Sequence, residues 1–129
     1  MAARKTGYQA QKVKHPLRGD IYLVNFDPTV GSEIRKTRPA LIIQNDIANQ
    51  YSPVTIVAAI TSKVNDPPYP TEVILIPKES GLPLDSSVLL NQIRSVDRSR
   101  LVKRLGRAEA EAMKRIDRAI MISLGMITL

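Results

Sequence analysis

The chain contains no cysteine and a single histidine, His15, among its 129 residues. Without thiols, the sequence excludes disulfide bonds, cysteine-ligated zinc, iron–sulfur clusters and thiol nucleophiles. One imidazole also excludes a two-histidine acid–base pair, and we expect His15 itself to be inert. Any catalysis by this chain therefore uses Arg, Lys, Ser, Thr, Tyr or carboxylate side chains.

Long apolar runs are missing as well, since the longest falls well short of the roughly 18 residues that a membrane span needs. No cationic, then apolar, then small-residue pattern opens the chain, so we expect no secretory signal and a cytoplasmic protein. A hydrophobic content of 43% with 24% charged residues is typical of globular proteins. At this length the chain fits one domain.

Basic residues outnumber acidic ones by 19 to 12, which gives a formal net charge of +7. Residues 1–17 carry four of the cations and no acid, and they lack hydrophobic periodicity. We therefore predict a flexible basic N-terminal tail over 1–17 and a folded domain over 18–129. The charge favours a polyanionic partner, of which nucleic acid is the commonest.

Short apolar segments rich in β-branched residues follow one another from residue 18 onward. Such segments predict strands, and the spacing between them leaves no room for crossover helices, so we expect a mostly antiparallel sheet. Segments containing proline and glycine separate them and predict turns: 27–37, 62–71 and 77–87. The predicted strands are 21–26, 40–43, 54–60, 73–76, 88–93 and 101–105.

The last third of the chain has a different period. Ala112, Ile116 and Ala119 recur three or four positions apart, which predicts an amphipathic helix over 108–124. Two glycines bracket this segment as helix breakers: Gly106 and Gly125.

One further helical turn is predicted over 46–50, capped by Asn45 or Asp46. The fold is therefore expected to be mainly β with a C-terminal helix, as a small antiparallel barrel of all-β or α+β class. Met121 and Ile122 lie off the apolar stripe of the C-terminal helix. Extra apolar surface on a small barrel often forms a dimer interface, so we predict a homodimer.

Segment 27–39 is a polar loop with three cations between two apolar strands. Loops of this length are usually functional or mobile. Arg38 ends the loop, where the following strand can fix its direction. Two interpretations stay open: Arg38 pairs with Glu33 or Asp27 as a structural ion pair, or it binds an anionic ligand.

Thr61 follows the predicted strand 54–60 directly. A lone threonine at a strand end is ordinarily a turn residue or a cap. A functional role depends on Arg38 being its neighbour, which requires that strands 40–43 and 54–60 pair.

RNA cleavage by internal transesterification is a reaction that these groups can catalyse without histidine or metal. The 2′-hydroxyl of the substrate is the nucleophile, so the protein orients it, stabilises charge on phosphorus and assists proton transfer. A guanidinium can hold two phosphate oxygens, and a hydroxyl can donate to another. DNA lacks the 2′-hydroxyl, so we expect RNA specificity and products with a 2′,3′-cyclic phosphate and a 5′-hydroxyl.

An ordered set of sequence blocks between residue 18 and about residue 125 resembles the MazF/PemK/Kid family of bacterial toxin endoribonucleases. Each block alone is uninformative, but their order and spacing are specific. The blocks are RGDI (18–21), DP (27–28), GSE (31–33), TRPALII (37–43), ND (45–46), AAIT (58–61) and LNQIRSVD (90–97).

The resemblance implies an SH3-like, CcdB-like barrel that dimerises and cuts single-stranded RNA, such as mRNA, at short sequences without a metal or cofactor. It also implies a toxin of a toxin–antitoxin module, held inactive by a cognate acidic antitoxin. Matched by motif, Arg38 is the catalytic arginine and Thr61 the catalytic threonine. The RNA-binding residues that the matching implies are Gly31, Ser32, Glu33, Ser62, Gln92 and Arg94.

The sequence leaves three further hypotheses open. Glu33 is a candidate general base. CcdB-type relatives share the barrel and inhibit DNA gyrase without being nucleases. A degenerate nuclease could also be retained as a module that binds RNA or antitoxin. The loop together with Thr61 favours RNA cleavage over both alternatives.

Overall fold

The structure is a computed structural model that describes residues 15–28, 31 and 36–129. Within these residues, six strands form one sheet in the spatial order β4-β5-β3-β2-β1-β6, and every neighbouring pair is antiparallel. The strands are β1 (Asp20–Asn25), β2 (Thr37–Ile42), β3 (Val54–Thr61), β4 (Glu72–Leu75), β5 (Ser86–Asp97) and β6 (Leu101–Arg107).

Three α-helices accompany the sheet in the described residues: α1 (Asp46–Tyr51), α2 (Pro77–Ser80) and α3 (Ala110–Ser123). A 3₁₀ turn, Arg98–Arg100, joins β5 to β6. The predicted cap of α1 is Asn45, whose side-chain oxygen accepts a hydrogen bond from the Ala48 amide at 2.8 Å. The C-terminal helix is confirmed, and it ends as predicted because Gly125 adopts a left-handed φ of 74°.

Apolar side chains pack on both faces of the sheet. One core cluster joins Ile21, Leu41 and Ile60 to the buried stripe of α3, Ala112 and Ile116. The buried stripe explains why α3 forms, since its helical period presents one apolar face to the sheet. The second cluster lies on the opposite side of the strands and contains Val24, Phe26, Ala40, Val57 and Ala59.

The predicted mainly β fold with a C-terminal helix is confirmed, but the described strands do not close into a barrel. Strands β4 and β6 are the two edges of the sheet and do not pair with each other. Instead, β4 contacts α3 and β6 contacts α2. Closure depends on the pairing of distant edge strands, which alternation along the chain does not reveal.

Several element boundaries differ from the predicted ones. Strand β5 continues to Asp97 and β2 begins at Thr37, because pairing with β3 and β1 supplies hydrogen bonds to polar residues. Helix α2 was predicted as part of a turn segment. Its signals were present in the sequence, since Pro77 occupies the first turn and Gly81 ends the helix with a left-handed φ of 79°. Gly106 is not a helix breaker but lies inside β6.

Candidate functional site

Arg38 and Thr61 lie on adjacent strands at matching positions. Ala40 pairs with Ala59 and Leu41 with Ala58. Arg38 and Thr61 each lie two residues beyond the last of these pairs, and both line the same cavity. Because side chains alternate along a strand, both residues lie on the face that carries Ala40 and Ala59. The pairing of β2 with β3, on which a functional role of Thr61 depends, is therefore present.

A cavity of about 170 Å³ lies where β2 begins, β3 ends and β5 begins. Its lining carries one guanidinium, from Arg38, and three hydroxyls, from Thr61, Ser62 and Ser86. No carboxylate is among the described residues that line it. A cation beside hydroxyl groups suits an oxyanion such as a phosphate, although the Ser86 hydroxyl already donates its hydrogen to the Leu84 carbonyl at 3.0 Å. The other lining residues are Pro39, Ile60, Leu82, Pro83 and Leu84.

The Thr61 hydroxyl has one contact that partly orients it. Its oxygen accepts a hydrogen bond from the Lys63 amide at 3.1 Å. A threonine hydroxyl has two lone pairs and one hydrogen, so this contact leaves the hydrogen free to be donated to a ligand.

The base of the loop that precedes Arg38 is held by hydrogen bonds. The Phe26 amide donates to the Lys36 carbonyl at 2.9 Å, and the Lys36 amide donates to the Asp27 carboxylate at 2.9 Å. Arg100 donates to the carbonyls of Asn25 and Asp27 from the 3₁₀ turn. Arg38 thus lies two residues after Lys36, whose backbone is held by these hydrogen bonds. Arg38 itself pairs with Val24 of β1.

The structure brings only part of the predicted site together. Ser62 lines the cavity beside Arg38 and Thr61. Gly31 is exposed in the loop, with a left-handed φ of 62°. Ser32 and Glu33 lie outside the described residues.

Gln92 and Arg94 lie farther along β5. Arg94 pairs with Val57, four residues before Thr61 on β3, which corresponds to about 13 Å along the strand. Gln92 lies in a bulge, because Leu89 pairs with Ala59 while Ile93 pairs with Ala58. Bulges turn side chains away from the regular alternation and are common beside functional sites.

Arg94 also has structural contacts. Its guanidinium lies 5.5 Å from the ring centroid of Phe26 and donates to the Phe26 carbonyl at 3.4 Å. This contact is a cation–π arrangement that holds the end of β1. Because the fork of an arginine carries five N–H donors, others stay available for a ligand.

Tyr22 lies one register step from the cavity, opposite Ala40. Burial raises the pKa of its hydroxyl above the ordinary value of 10.0, and the nearby Asp20 carboxylate adds to this, while Arg104 and Arg98 oppose it. Tyr22 therefore stays protonated at neutral pH and cannot serve as a general base there.

Residues of the segment after α2 were not predicted as part of the site. Leu82, Pro83, Leu84 and Ser86 form one wall of the cavity. The sequence signal that could have found them is the proline at 77 and the glycine at 81, which predict a short helix. A helix directly before 82–86 fixes where this connection starts, unlike in an open loop.

In residues 15–28, 31 and 36–129, no three His, Asp or Glu side chains are grouped so that they could hold a metal ion. Among the same residues, every helix is too short or too polar to cross a membrane.

A family model for PemK-like, MazF-like toxins of type II toxin–antitoxin systems matches residues 17–124. The chain belongs to this toxin family. Endoribonuclease EndoA of Bacillus subtilis (strain 168) is 44% identical over 110 residues, which covers 85% of this chain and 95% of that protein.

Solved structures of PemK/MazF toxins share the fold. The crystal structure of MazF from Deinococcus radiodurans is 30% identical, with a TM-score of 0.74 over 87% of this chain and 98% of that one. A mycobacterial endoribonuclease in complex with its cognate antitoxin is 24% identical, with a TM-score of 0.73 over 88% of this chain and 99% of that one. The family membership confirms the resemblance of the sequence blocks and favours a MazF-like toxin over a CcdB-like gyrase inhibitor.

Proposed function

We propose that this endoribonuclease toxin of the PemK/MazF family cleaves single-stranded RNA, including mRNA, at specific sequences and without a metal ion. The observation that carries the proposal is the cavity that Arg38 of β2 and Thr61 of β3 both line. The 2′-oxygen of the substrate bonds to the adjacent phosphorus as it loses its proton. The bond from phosphorus to the 5′-oxygen breaks, and that oxygen takes up a proton. The products carry a 2′,3′-cyclic phosphate and a 5′-hydroxyl.

In this proposal, Arg38 binds the oxygens on which negative charge increases in the transition state. Thr61 donates its free hydroxyl hydrogen to a further phosphate oxygen. Arginine suits this role because its planar guanidinium can bind two oxygens at once. Glu33 stays a candidate for the group that removes the 2′-proton.

The remaining predicted residues are proposed to bind the RNA chain on either side of the cut. Ser62, which lines the cavity, and Gly31, Ser32 and Glu33, which precede Arg38 in the sequence, are proposed to bind the RNA next to the scissile phosphate. Gln92 and Arg94, about 10 to 13 Å away along β5, bind nucleotides farther along the strand.

We also propose a cytoplasmic homodimer that a cognate acidic antitoxin inhibits. The net charge of +7 supports an acidic partner. The antitoxin complexes solved for relatives, including MazE–MazF from Deinococcus radiodurans at 29% identity, support such an assembly. Exposed apolar residues after α3 support a protein interface: Leu124, Met126 and Leu129.

The test of the proposal is incubation of the purified protein with a long single-stranded RNA in EDTA. Primer extension and mass spectrometry should find discrete cuts with cyclic-phosphate and 5′-hydroxyl ends. An oligonucleotide spanning one cut site, with a single 2′-deoxy substitution at the nucleotide 5′ to the cut, is the matched control and should stay intact. Cleavage of the deoxy substrate at an equal rate would contradict the mechanism.

Thr61→Val removes the hydroxyl that we propose to contact the phosphate while keeping the size of the side chain. A hydrogen bond to a charged group contributes about 1.5 to 3 kcal/mol, so we expect kcat to fall about 10- to 100-fold. The thermal midpoint should change little, because the Lys63 amide that Thr61 accepts from is solvent-exposed. Thr128→Val, at an exposed position far along the chain, is the control and should keep full activity.

A further inference from the structure

Ser87 is a buried serine whose hydroxyl has no hydrogen-bond partner among the described residues. Its side chain is 1% exposed, and Ser87 Oγ is the one buried side-chain polar atom in the described part of the chain that lacks a partner. Buried hydroxyls nearly always have a partner, since an unpaired one lowers stability. A polar atom kept at such a cost calls for an explanation.

The position of Ser87 on the sheet connects it to the proposed site. Ser87 pairs with Thr61 on β3 and with Ile74 on β4. Residues directly opposite each other on antiparallel strands point to the same face, with Cβ atoms about 4.5 to 5.5 Å apart. Ser87 therefore lies beside Thr61 on the same face of the sheet, and Thr61 lines the cavity together with Arg38.

Thr61 needs one more donor to be fully oriented. Its oxygen takes one hydrogen bond from the Lys63 amide, which leaves one lone pair and its own hydrogen. If the second lone pair is also filled, the only hydrogen left points away from both donors. A hydroxyl that accepts hydrogen bonds is also a stronger donor, because successive hydrogen bonds polarise one another.

We propose that Ser87 is a positioning residue that donates its hydroxyl hydrogen to Thr61 Oγ1 when RNA occupies the cavity. The proposal rests on the proposed function, in which Thr61 donates to the scissile phosphate. A serine side chain has three staggered χ1 positions, so Ser87 can change the direction of its hydroxyl without movement of the backbone. Ser87 then acts through Thr61 and does not touch the RNA.

The alternative is that Ser87 is only a small residue that fits the packing of the sheet. In that case alanine would serve equally well or better, because it removes an unpaired buried hydroxyl. The positioning role therefore predicts slower cleavage by Ser87→Ala, and the packing role predicts an unchanged rate.

The experiment measures kcat, KM and thermal midpoint for Ser87→Ala, Ser87→Thr and the control Ser95→Ala, which is exposed on the same strand. We expect Ser87→Ala to lower kcat about tenfold with KM unchanged and the midpoint equal or higher, since one hydrogen bond corresponds to about one order of magnitude. Ser87→Thr keeps the hydroxyl and should restore kcat to within about threefold of the unmodified protein. Ser95→Ala should leave all three quantities unchanged.

The double variant Thr61→Val with Ser87→Ala separates this proposal from the proposed function. Because Ser87 acts through Thr61, the double variant should be no slower than Thr61→Val alone. Unchanged kcat in Ser87→Ala, a loss of midpoint together with kcat, or additive losses in the double variant would each overturn the role of Ser87. Full activity of Thr61→Val would instead overturn the proposed function.

Discussion

Arg38→Ala is expected to reduce RNA cleavage by at least about 10²- to 10³-fold, the effect of removing one preorganised donor to a transition-state oxyanion. The structure supports a large effect because Arg38 is the only cation lining the cavity among the described residues. Its neighbours there are hydroxyls, which cannot replace a full positive charge. Single-turnover rates in EDTA, with the termini mapped, measure the loss.

Arg38→Lys distinguishes charge from geometry at this position. Lysine keeps the positive charge but cannot bind two oxygens in a fixed plane, so we expect a loss smaller than that of alanine but still at least tenfold. Arg118→Ala, an exposed arginine on α3, is the control for loss of one positive charge and should cleave normally. Cleavage by Arg38→Ala at the unmodified rate, with the same thermal midpoint, would remove Arg38 from the mechanism.

Gly106→Ala is expected to destabilise the fold strongly. A Cβ atom at this position would lie 2.1 Å from the Ser80 carbonyl oxygen, which belongs to the backbone of α2. Either β6 or α2 must therefore move, and we expect a loss of about 3 kcal/mol or more in the free energy of unfolding. Thermal unfolding should show a decrease in midpoint on the order of 10 °C. Cleavage should fall as well, because the segment after α2 forms a wall of the cavity.

Gly125→Ala is the matched control for this substitution. Unlike Gly106, Gly125 has a left-handed φ, 74°, but no non-neighbouring atom lies within 4 Å of a Cβ placed there. Its replacement should therefore cost only the backbone strain of about 1 to 2 kcal/mol. Equal losses of unfolding free energy in the two variants would show that β6 and α2 move apart at little cost, which would contradict the prediction.

Local patterns in the sequence were enough to predict most of the elements. The β-branched runs predicted five strands, and 101–105 was predicted as one more short strand. The three- and four-residue spacing of Ala112, Ile116 and Ala119 predicted α3. Asn45 was recognised as one of two candidate caps because an asparagine side chain can accept from the first free amides of a helix. These features depend on residues close together in the chain.

The boundaries of the elements were less accurate for a physical reason. Arg94, Ser95 and Asp97 are polar, yet they lie in β5 because β3 offers them pairing partners over its first half. Thr37 and Arg38 lie in β2 because β1 pairs with them. Such pairing comes from residues far away in the sequence, so intrinsic propensity does not report it.

The sequence by itself determined the strands, the C-terminal helix, the basic charge and, through the order of its blocks, the family. The resemblance of the blocks to the family also predicted Arg38 and Thr61 as catalytic residues, whereas the residues around them in the sequence did not. Only the tertiary structure decided that these two residues line one cavity, that residues of 82–86 form one of its walls and that Ser87 is buried beside Thr61. The register between strands is set by the packing of whole faces, and a shift of one residue would have turned Arg38 away from Thr61.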